Sequence, residues 1–271
     1  MPRMKAPRIT EKSFAVYYGY GPLEGLDGFD LLALEPAGWK THDLLDLKAK
    51  GCRLLAYVSV LEAPSWVVRE AGLGYRDFLH LEEGPWRREA FDTVVVDPRS
   101  RAWGSHLRRI FKKTAQGPWD GVFLDGLSNV EDPVVAQQSG WLLPATAELV
   151  RMAREELGDG LIVQNNGLWL LLPLVAEFLD GVVWEGDLTE KDFEQPWALM
   201  TQETLVRYAN LHGIQPILLS EVRPGPDERG RLRVMSEIAR RYGFLMYAAP
   251  SGYAMGIRTA KGDVIPGRPA P

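Results

Sequence analysis

Two acidic residues directly follow apolar segments of the kind that form buried strands. Val122-Phe123-Leu124 is followed by Asp125, and Val182-Val183-Trp184 is followed by Glu185. A glycine comes directly after each acid, so the chain can turn sharply there and leave the carboxylate exposed. Cleavage of a glycosidic bond needs two carboxylates, one to protonate the departing oxygen and one to attack the sugar carbon or activate water. We therefore predict that Asp125 and Glu185 are catalytic.

Other apolar segments also end in polar residues, which form a second group of candidates. They are Glu35, Glu62, Asp97, Asn165 and Glu221. Carboxylates gathered at one place repel one another and shift one another's pKa values, so such clusters occur mostly at functional sites. Some of these residues also fit a structural role, since Asp97 precedes Pro98 in a typical helix start and Glu221 is close to Arg223. We predict that all five bind substrate.

Aromatic residues near the same segment ends add weight to a sugar site. Tyr18, Tyr57 and Tyr247 are the three that we predict to bind substrate. Flat aromatic faces suit the apolar side of a sugar ring, although each residue alone also fits ordinary core packing. Trp184 alternates with Val183 and Glu185, so we expect it to face the helix layer rather than the barrel interior.

The elements that must position these residues follow a repeated strand and helix pattern. The predicted strands are near-continuous apolar segments, which is typical of parallel strands covered on both faces. They are Phe14–Tyr18, Leu31–Leu34, Leu54–Val60, Val94–Val96, Gly121–Leu124, Leu161–Gln164, Gly181–Trp184, Pro216–Leu219 and Phe244–Tyr247. Nine strands are one too many for a closed barrel, so we interpret the shortest, Val94–Val96, as an accessory strand near the rim. Pro144 is predicted to open the helix that runs to Glu156.

Alternation of strands and helices along 271 residues predicts a single α/β domain, a (β/α)8 TIM barrel. Residues 1–12 and 262–271 are expected to be loosely ordered or strapped over the surface. The alternative is an open doubly wound sheet, but the glycine motifs of its nucleotide-binding versions do not occur in the sequence. Barrel enzymes have their sites at the carboxyl ends of the strands, so the polar residues above should gather on one rim.

Composition argues against several other classes of function. The net charge of -5 argues against nucleic acid as a partner. The four histidines lack metal-ligand spacing, so we predict no zinc or iron site. There is no G-x-S-x-G motif, so we predict no serine hydrolase. We expect no cofactor. The most apolar segment, Leu168–Leu179, is too short to cross a bilayer, and residues 1–12 do not form a signal peptide. We expect a cytoplasmic location unless a leader has been removed, and the oligomeric state is not predicted.

An ordered series of short motifs carries a resemblance to a known family. The motifs are Tyr17-Tyr18-Gly19, Leu31-Leu32-Ala33-Leu34-Glu35-Pro36, Ala56-Tyr57-Val58-Ser59, Val96-Asp97-Pro98-Arg99, Asp120-Gly121-Val122-Phe123-Leu124-Asp125, Gln164-Asn165-Asn166-Gly167 and Val183-Trp184-Glu185. From about Phe14 to Tyr253 the chain resembles glycoside hydrolase family 114, the endo-α-1,4-polygalactosaminidase-like barrels. The resemblance implies a metal-free barrel that cleaves α-linked, galactosamine-rich polysaccharide with retention. It also places the catalytic pair on Asp125 and Glu185. By analogy with other α-glycosidase barrels, we assign Asp125 as the nucleophile and Glu185 as the acid/base.

The sequence departs from the family pattern at two places. Leu61-Glu62-Ala63-Pro64 stands where the family tends to have Gly-Glu-Ala-Glu, and Gly126-Leu127-Ser128-Asn129 lacks a second acid after Asp125. Both departures leave the predicted pair intact and bear on the identity of the sugar. Two other functions use the same residues: a non-catalytic carbohydrate-binding barrel, and a magnesium-dependent hydrolase or lyase that binds its cation through the rim carboxylates.

Overall fold

The computed structural model describes residues 6–186, 189, 191–250, 252–259 and 261–267. In this part of the chain, eight parallel strands form one sheet in the order of the sequence. They are β1 (Phe14–Tyr17), β2 (Leu31–Leu34), β3 (Arg53–Ser59), β4 (Gly121–Asp125), β5 (Leu161–Asn165), β6 (Gly181–Glu185), β7 (Gln215–Glu221) and β8 (Leu245–Ala249). Because β8 packs against β1, the sheet is nearly closed into a barrel, and the predicted fold is confirmed.

Alternating residues of the strands divide the apolar side chains between the barrel interior and the helix layer. Phe14 of β1 and Phe123 of β4 stack across the interior with their ring centroids 6.2 Å apart. Trp184 is buried on the other face, where its ring meets Phe193 and Trp197 edge to face. The alternation therefore directs Asp125 and Glu185, two residues beyond Phe123 and Val183, to the interior side at the rim.

Helices surround the sheet on its outer face. Within the described residues they are α1 (Thr41–Ala49), α2 (Ser65–Ala71), α3 (Arg101–Gln116), α4 (Ser139–Leu157), α5 (Leu172–Val175), α6 (Pro196–His212) and α7 (Glu228–Tyr242). The prediction that Pro144 opens a helix is wrong, because α4 begins at Ser139 and Pro144 lies inside it. Proline removes the hydrogen bond to the carbonyl of Gly140, and because Gly140 is exposed, water can satisfy that oxygen.

The accessory strand is also confirmed. Thr93–Val95 pairs antiparallel with Glu62–Pro64 on one side and with Arg87–Arg88 on the other. Glu62 is three residues beyond the end of β3, so this small sheet covers the rim beside β3 and β4. The accessory sheet, meaning these three strands, therefore fixes the backbone that carries Glu62.

The expectation for the two ends of the chain is only partly within the described residues. Residues 1–5 and 268–271 lie outside them, so that expectation stays a prediction. Val264–Pro266 pairs antiparallel with Gly256–Arg258, forming a hairpin that follows β8. We call this hairpin, together with the next residue Gly267, the C-terminal strap, and its packing bears on the site described below.

A buried ion cluster holds the opposite end of the barrel together. The carboxylate of Asp180, just before β6, is fully buried and accepts hydrogen bonds from Arg154, Arg8 and the backbone N–H of Ile162, at 2.5, 3.1 and 2.9 Å. A buried carboxylate is tolerated only where it is paired and hydrogen-bonded in this way. The cluster joins α4, the N-terminal segment and two neighbouring strands.

Replacing Asp180 with Ala is expected to lower the free energy of unfolding by about 3–5 kcal/mol, because two arginines lose their buried partner. Urea denaturation followed by circular dichroism measures this change. Asp46→Ala, at an exposed position on α1, is the matched control and should stay within about 0.5 kcal/mol of the wild type. Equal stability of the two variants would contradict the role given to the cluster.

Candidate active site

Three neighbouring strands end in polar residues at the same rim of the barrel. Asp125 ends β4, Asn165 ends β5 and Glu185 ends β6, and β5 lies between the other two strands. Parallel neighbours bring their carboxyl ends together, so the two predicted catalytic acids stand on either side of the Asn165 amide. The central position of this amide decides the geometry of the site.

The side-chain amide of Asn165 bridges the two carboxylates. Its Nδ2 donates to Asp125 Oδ1 at 2.9 Å and to Glu185 Oε2 at 2.5 Å. An NH2 group has two hydrogens, so it can serve both acceptors at once. These two carboxylate oxygens therefore lie at most about 5.4 Å apart, the length of both hydrogen bonds laid end to end.

Tight turns after β4 and β5 keep these side chains at the rim. Gly126 has a φ of 75°, which places it in the left-handed region that glycine adopts without strain. Asn166 is also left-handed, with a φ of 53°, and its Oδ1 accepts a hydrogen bond from the backbone N–H of Glu185 at 3.0 Å. The Asn-Asn-Gly motif thus places one amide between the carboxylates and uses the next to fix the end of β6.

Two tyrosines predicted from the sequence lie beside the pair. The Tyr57 hydroxyl donates to Asp125 Oδ2 at 2.9 Å, and the Tyr18 ring lies 4.5 Å from the Tyr57 ring, centroid to centroid. Burial, followed by the charge of Asp125, raises the pKa of Tyr57 well above its ordinary value. Burial likewise raises the pKa of Tyr18, so both hydroxyls stay protonated and able to donate.

A third tyrosine, Tyr253, was not among the predicted site residues. Its hydroxyl donates to Glu185 Oε1, and its ring meets Tyr18 edge to face at 5.5 Å. Tyr253 lies in the loop after β8, four residues beyond the end of the strand. A residue that far into a loop has no periodicity to show where its side chain points, so the sequence carries no signal for this contact.

The sequence also matches a known family model. Residues 4–193 match the model described as glycoside-hydrolase family GH114. The chain belongs to glycoside-hydrolase family GH114. The predicted family is confirmed by this match, and the GH114 protein is a glycosidase by membership. The matched segment includes Asp125, Asn165 and Glu185. Among curated protein sequences, none matches this chain.

Solved structures resemble the GH114 protein in fold. The glycoside hydrolase domain of PelA from Pseudomonas aeruginosa has a TM-score of 0.73 at 20% identity, covering 90% of this chain and 96% of that one. Aspergillus fumigatus Ega3, in complex with galactosamine, has a TM-score of 0.62 at 11% identity, covering 81% of this chain and 80% of that one. The α-galactosidase TtGalA from Thermus thermophilus has a TM-score of 0.57 at 12% identity, covering 92% of this chain and 60% of that one.

Glu62 of the GH114 protein lies next to the pair but is held by its own contacts. Its carboxylate accepts hydrogen bonds from Asn129 Nδ2 at 2.8 Å and from the Thr93 hydroxyl at 2.6 Å. Arg88 lies 3.9 Å from the same carboxylate. Asn129 and Thr93 were missed by the sequence reasoning. Asn129 stands in the stretch that lacks the family's second acid, and an aspartate there would face Glu62 with a like charge.

Glu35 and Glu221 extend the acidic rim on either side. Glu35 directly follows β2, accepts a hydrogen bond from the Ala37 N–H at 3.1 Å, and has its pKa raised by burial. Glu221 ends β7 and pairs with Arg223 at 2.7 Å, as its sequence position indicated. Negative charge on Glu35 raises the pKa of Tyr57, and negative charge on Glu221 raises the pKa of Glu185, so both acids act within electrostatic reach of the site.

The structure does not bring the other two predicted residues to the pair. Asp97 binds Arg99 through both carboxylate oxygens, at 3.0 and 2.7 Å, at the start of α3. Tyr247 lies inside the barrel with 3% of its surface exposed, its ring edge-on to Phe29, and burial raises its pKa to about 12. As the third residue of β8 it points to the interior, two positions short of the rim.

Burial sets the electrostatic character of Glu185. Loss of solvent raises the pKa of this carboxyl above its ordinary value, and the charges of Asp125 and Glu221 raise it further. Hydrogen bonds from Asn165 and Tyr253 act in the opposite direction. A carboxyl with a raised pKa holds its proton at higher pH, which is the property that a general acid requires.

Groups of three or more metal-ligating side chains close enough to hold a cation are not found among the described residues. The described helices include none that is both long and apolar enough to cross a membrane.

Proposed function

We propose that this GH114 protein is a retaining, endo-acting α-glycosidase that cleaves galactosamine-rich polysaccharide. The observation that carries the proposal is the shared Asn165 amide, which keeps oxygens of Asp125 and Glu185 within about 5.4 Å of each other. Retaining glycosidases have their two carboxyl groups about 5–5.5 Å apart, whereas inverting enzymes need roughly 6.5–9.5 Å to admit a water molecule. The upper bound for the two bridged oxygens lies below the inverting range, which favours retention.

In the proposed reaction Asp125 is the nucleophile. Asn165 and Tyr57 each donate to one of its oxygens, which fixes the carboxylate in place. A carboxylate oxygen of Asp125 forms a bond to the anomeric carbon while the bond from that carbon to the departing oxygen breaks. The departing oxygen takes the proton of Glu185, because a raised pKa favours the protonated form of this carboxyl.

The second step reverses these roles. Glu185, now a carboxylate, removes a proton from water as the water oxygen attacks the anomeric carbon. The bond to Asp125 breaks, and both carboxyl groups return to their starting states. Two displacements on opposite faces of the sugar restore the original anomeric configuration.

The acidic rim supports an amino sugar as substrate. Glu35 and Glu62 lie within electrostatic reach of Tyr57, and Glu221 lies within reach of Glu185. A cationic, deacetylated amino sugar would be attracted to negative charge on these side chains. The structure with the same fold that holds galactosamine, Ega3, agrees with this choice. A neutral, fully N-acetylated polymer gains less from these charges, so we expect it to be cleaved more slowly.

The experiment follows the digestion of α-1,4-linked polygalactosamine by proton NMR. Shorter oligomers should appear from the first minutes, and their new reducing ends should be α before mutarotation. A β product would contradict retention. Addition of EDTA should leave the rate of cleavage unchanged. A magnesium-dependent reaction would instead stop when EDTA is added. Binding without any cleavage would instead support a carbohydrate-binding barrel.

A further inference from the structure

The loop after β8 touches the candidate site at two points. The Tyr253 hydroxyl donates to Glu185 Oε1, and the Tyr253 carbonyl accepts a hydrogen bond from the Tyr18 N–H at 2.9 Å. Tyr18 directly follows β1, so the second bond joins the two strands that close the barrel. The position of the Tyr253 hydroxyl thus depends on how this loop, residues 252–255, is held.

The C-terminal strap holds that loop from outside. The Gly267 N–H donates to the Met255 carbonyl at 2.8 Å, and Gly267 is packed so closely that a Cβ there would lie 2.6 Å from the Ala254 carbonyl oxygen. Real Cβ atoms do not approach backbone oxygens this closely, so only glycine allows the contact. The strap therefore contacts both residues that follow Tyr253.

Arg258 fixes the strap to the barrel. With 10% of its side chain exposed, it pairs with Glu228 of α7 at 2.7 Å. Its guanidinium also donates to the backbone carbonyls of Ala248 in β8 and Val222 after β7, at 3.2 and 3.1 Å. Charge-assisted bonds to three separate elements make the strap part of the rigid rim rather than a loose end.

The part that these contacts play in the reaction rests on the acid/base role proposed for Glu185. We propose that Tyr253 is a positioning residue for Glu185, and that the C-terminal strap serves the reaction by holding the Tyr253 hydroxyl against Glu185 Oε1. With Asn165 bonded to the other oxygen, the carboxyl plane is fixed from both ends. A fixed carboxyl delivers its proton along one direction, which lowers the cost of alignment in the transition state.

The groups that face Glu185 come from several elements. They are Asp125 of β4, Asn165 of β5, Glu221 of β7, Tyr18 after β1 and Tyr253. Both acids disfavour the charged carboxylate, while the amide and the Tyr253 hydroxyl favour it. Removal of the Tyr253 hydroxyl therefore raises the pKa of Glu185, so the enzyme loses its general acid only at a higher pH.

Tyr253→Phe is the first test, since it removes the hydroxyl and keeps the ring against Tyr18. We expect kcat on α-1,4-linked polygalactosamine to fall on the order of ten-fold, the size of losing one hydrogen bond that orients a reacting group, with KM little changed. The alkaline limb of the pH profile should move to higher pH. Tyr242→Phe, in the last turn of α7, is the matched control and should leave both unchanged.

Gly267→Ala tests the strap. The new methyl group would lie 2.6 Å from the Ala254 carbonyl oxygen, 2.8 Å from the Gly256 nitrogen and 2.9 Å from the Tyr17 ring, so it should displace the backbone at 254–256. We expect it to reproduce the effects of Tyr253→Phe in part, whereas the double variant should be no worse than Tyr253→Phe alone. Gly104→Ala, where a Cβ meets open space on α3, is the control. Fully additive losses would show that the strap acts on activity by another route and would overturn its proposed role.

A titration without substrate separates this inference from the proposed function. Carbon-13 NMR of protein labelled at its glutamate carboxyls follows the Glu185 signal, assigned by its absence in Glu185→Gln. The pKa of Glu185 should be higher in Tyr253→Phe than in the wild type, whatever the substrate proves to be. An unchanged pKa would overturn the positioning role, while a raised pKa in a protein that does not cleave the polymer would leave it standing and reject only the activity.

Discussion

Asp125→Asn should lower the hydrolysis of α-1,4-linked polygalactosamine by roughly 10⁴-fold, and Glu185→Gln by about 10³-fold. Asparagine has nearly the shape of aspartate and cannot attack the anomeric carbon. Glutamine cannot supply a proton to the departing oxygen. The rate of reducing-end release measures both losses, and the melting temperature shows whether the fold survives.

Azide then separates the two roles that are proposed for the carboxylates. Asp125→Gly removes the proposed nucleophile and leaves space for azide. In this variant of a retaining α-glycosidase, azide attacks in place of Asp125 and gives a β-glycosyl azide in one displacement. In Glu185→Gln, azide instead attacks the glycosyl-enzyme formed from an activated aryl glycoside and gives the α product. Exchange of these outcomes between Asp125→Gly and Glu185→Gln would reverse our assignment, and wild-type activity in both variants would reject the site.

The second large effect is expected at Asn165, which has no chemical role of its own in the reaction. Asn165→Ala removes the only described donor that both carboxylates share, so Asp125 and Glu185 face each other without it. We expect kcat to fall on the order of 10²-fold, as when one preorganised donor is removed from a catalytic site. The pKa of Glu185 should rise because a hydrogen bond that favours its charged form is lost.

Steady-state kinetics across pH checks this prediction. The alkaline limb of the profile should move upward, and KM should change less than kcat because the bridge aligns reacting groups rather than binding distant sugar units. Asn210→Ala, at an exposed position on α6, is the matched control. A kcat within two-fold of the wild type would mean that the two carboxylates keep their spacing without the amide.

The apolar patterns of the sequence predicted most of the fold and the two central acids. Buried parallel strands need apolar side chains on both faces, so the eight strands stand out as short continuous segments, and the residue that ends each segment must reach the rim. Asp125, Glu185 and Asn165 were found by this rule. The same rule placed Tyr247 at the rim and was wrong there. The predicted strand ended at Tyr247, whereas β8 continues to Ala249.

Helix boundaries were harder to predict than strands. The sequence predicts that Pro144 starts α4, but the helix begins five residues earlier. Because Gly140 is exposed, water can replace the hydrogen bond that Pro144 does not donate. That replacement depends on whether water reaches the backbone, which a sequence does not show.

The sequence by itself determined which strands form and which acids end them, because burial on both faces and the alternation of side chains are local properties of the chain. Only the tertiary structure decided the partners of those acids. Tyr253 reaches Glu185 through a loop held by a strap, and Asn129 reaches Glu62 across the rim. Such contacts join residues more than 60 positions apart, and their geometry is set by how the barrel closes rather than by any local pattern.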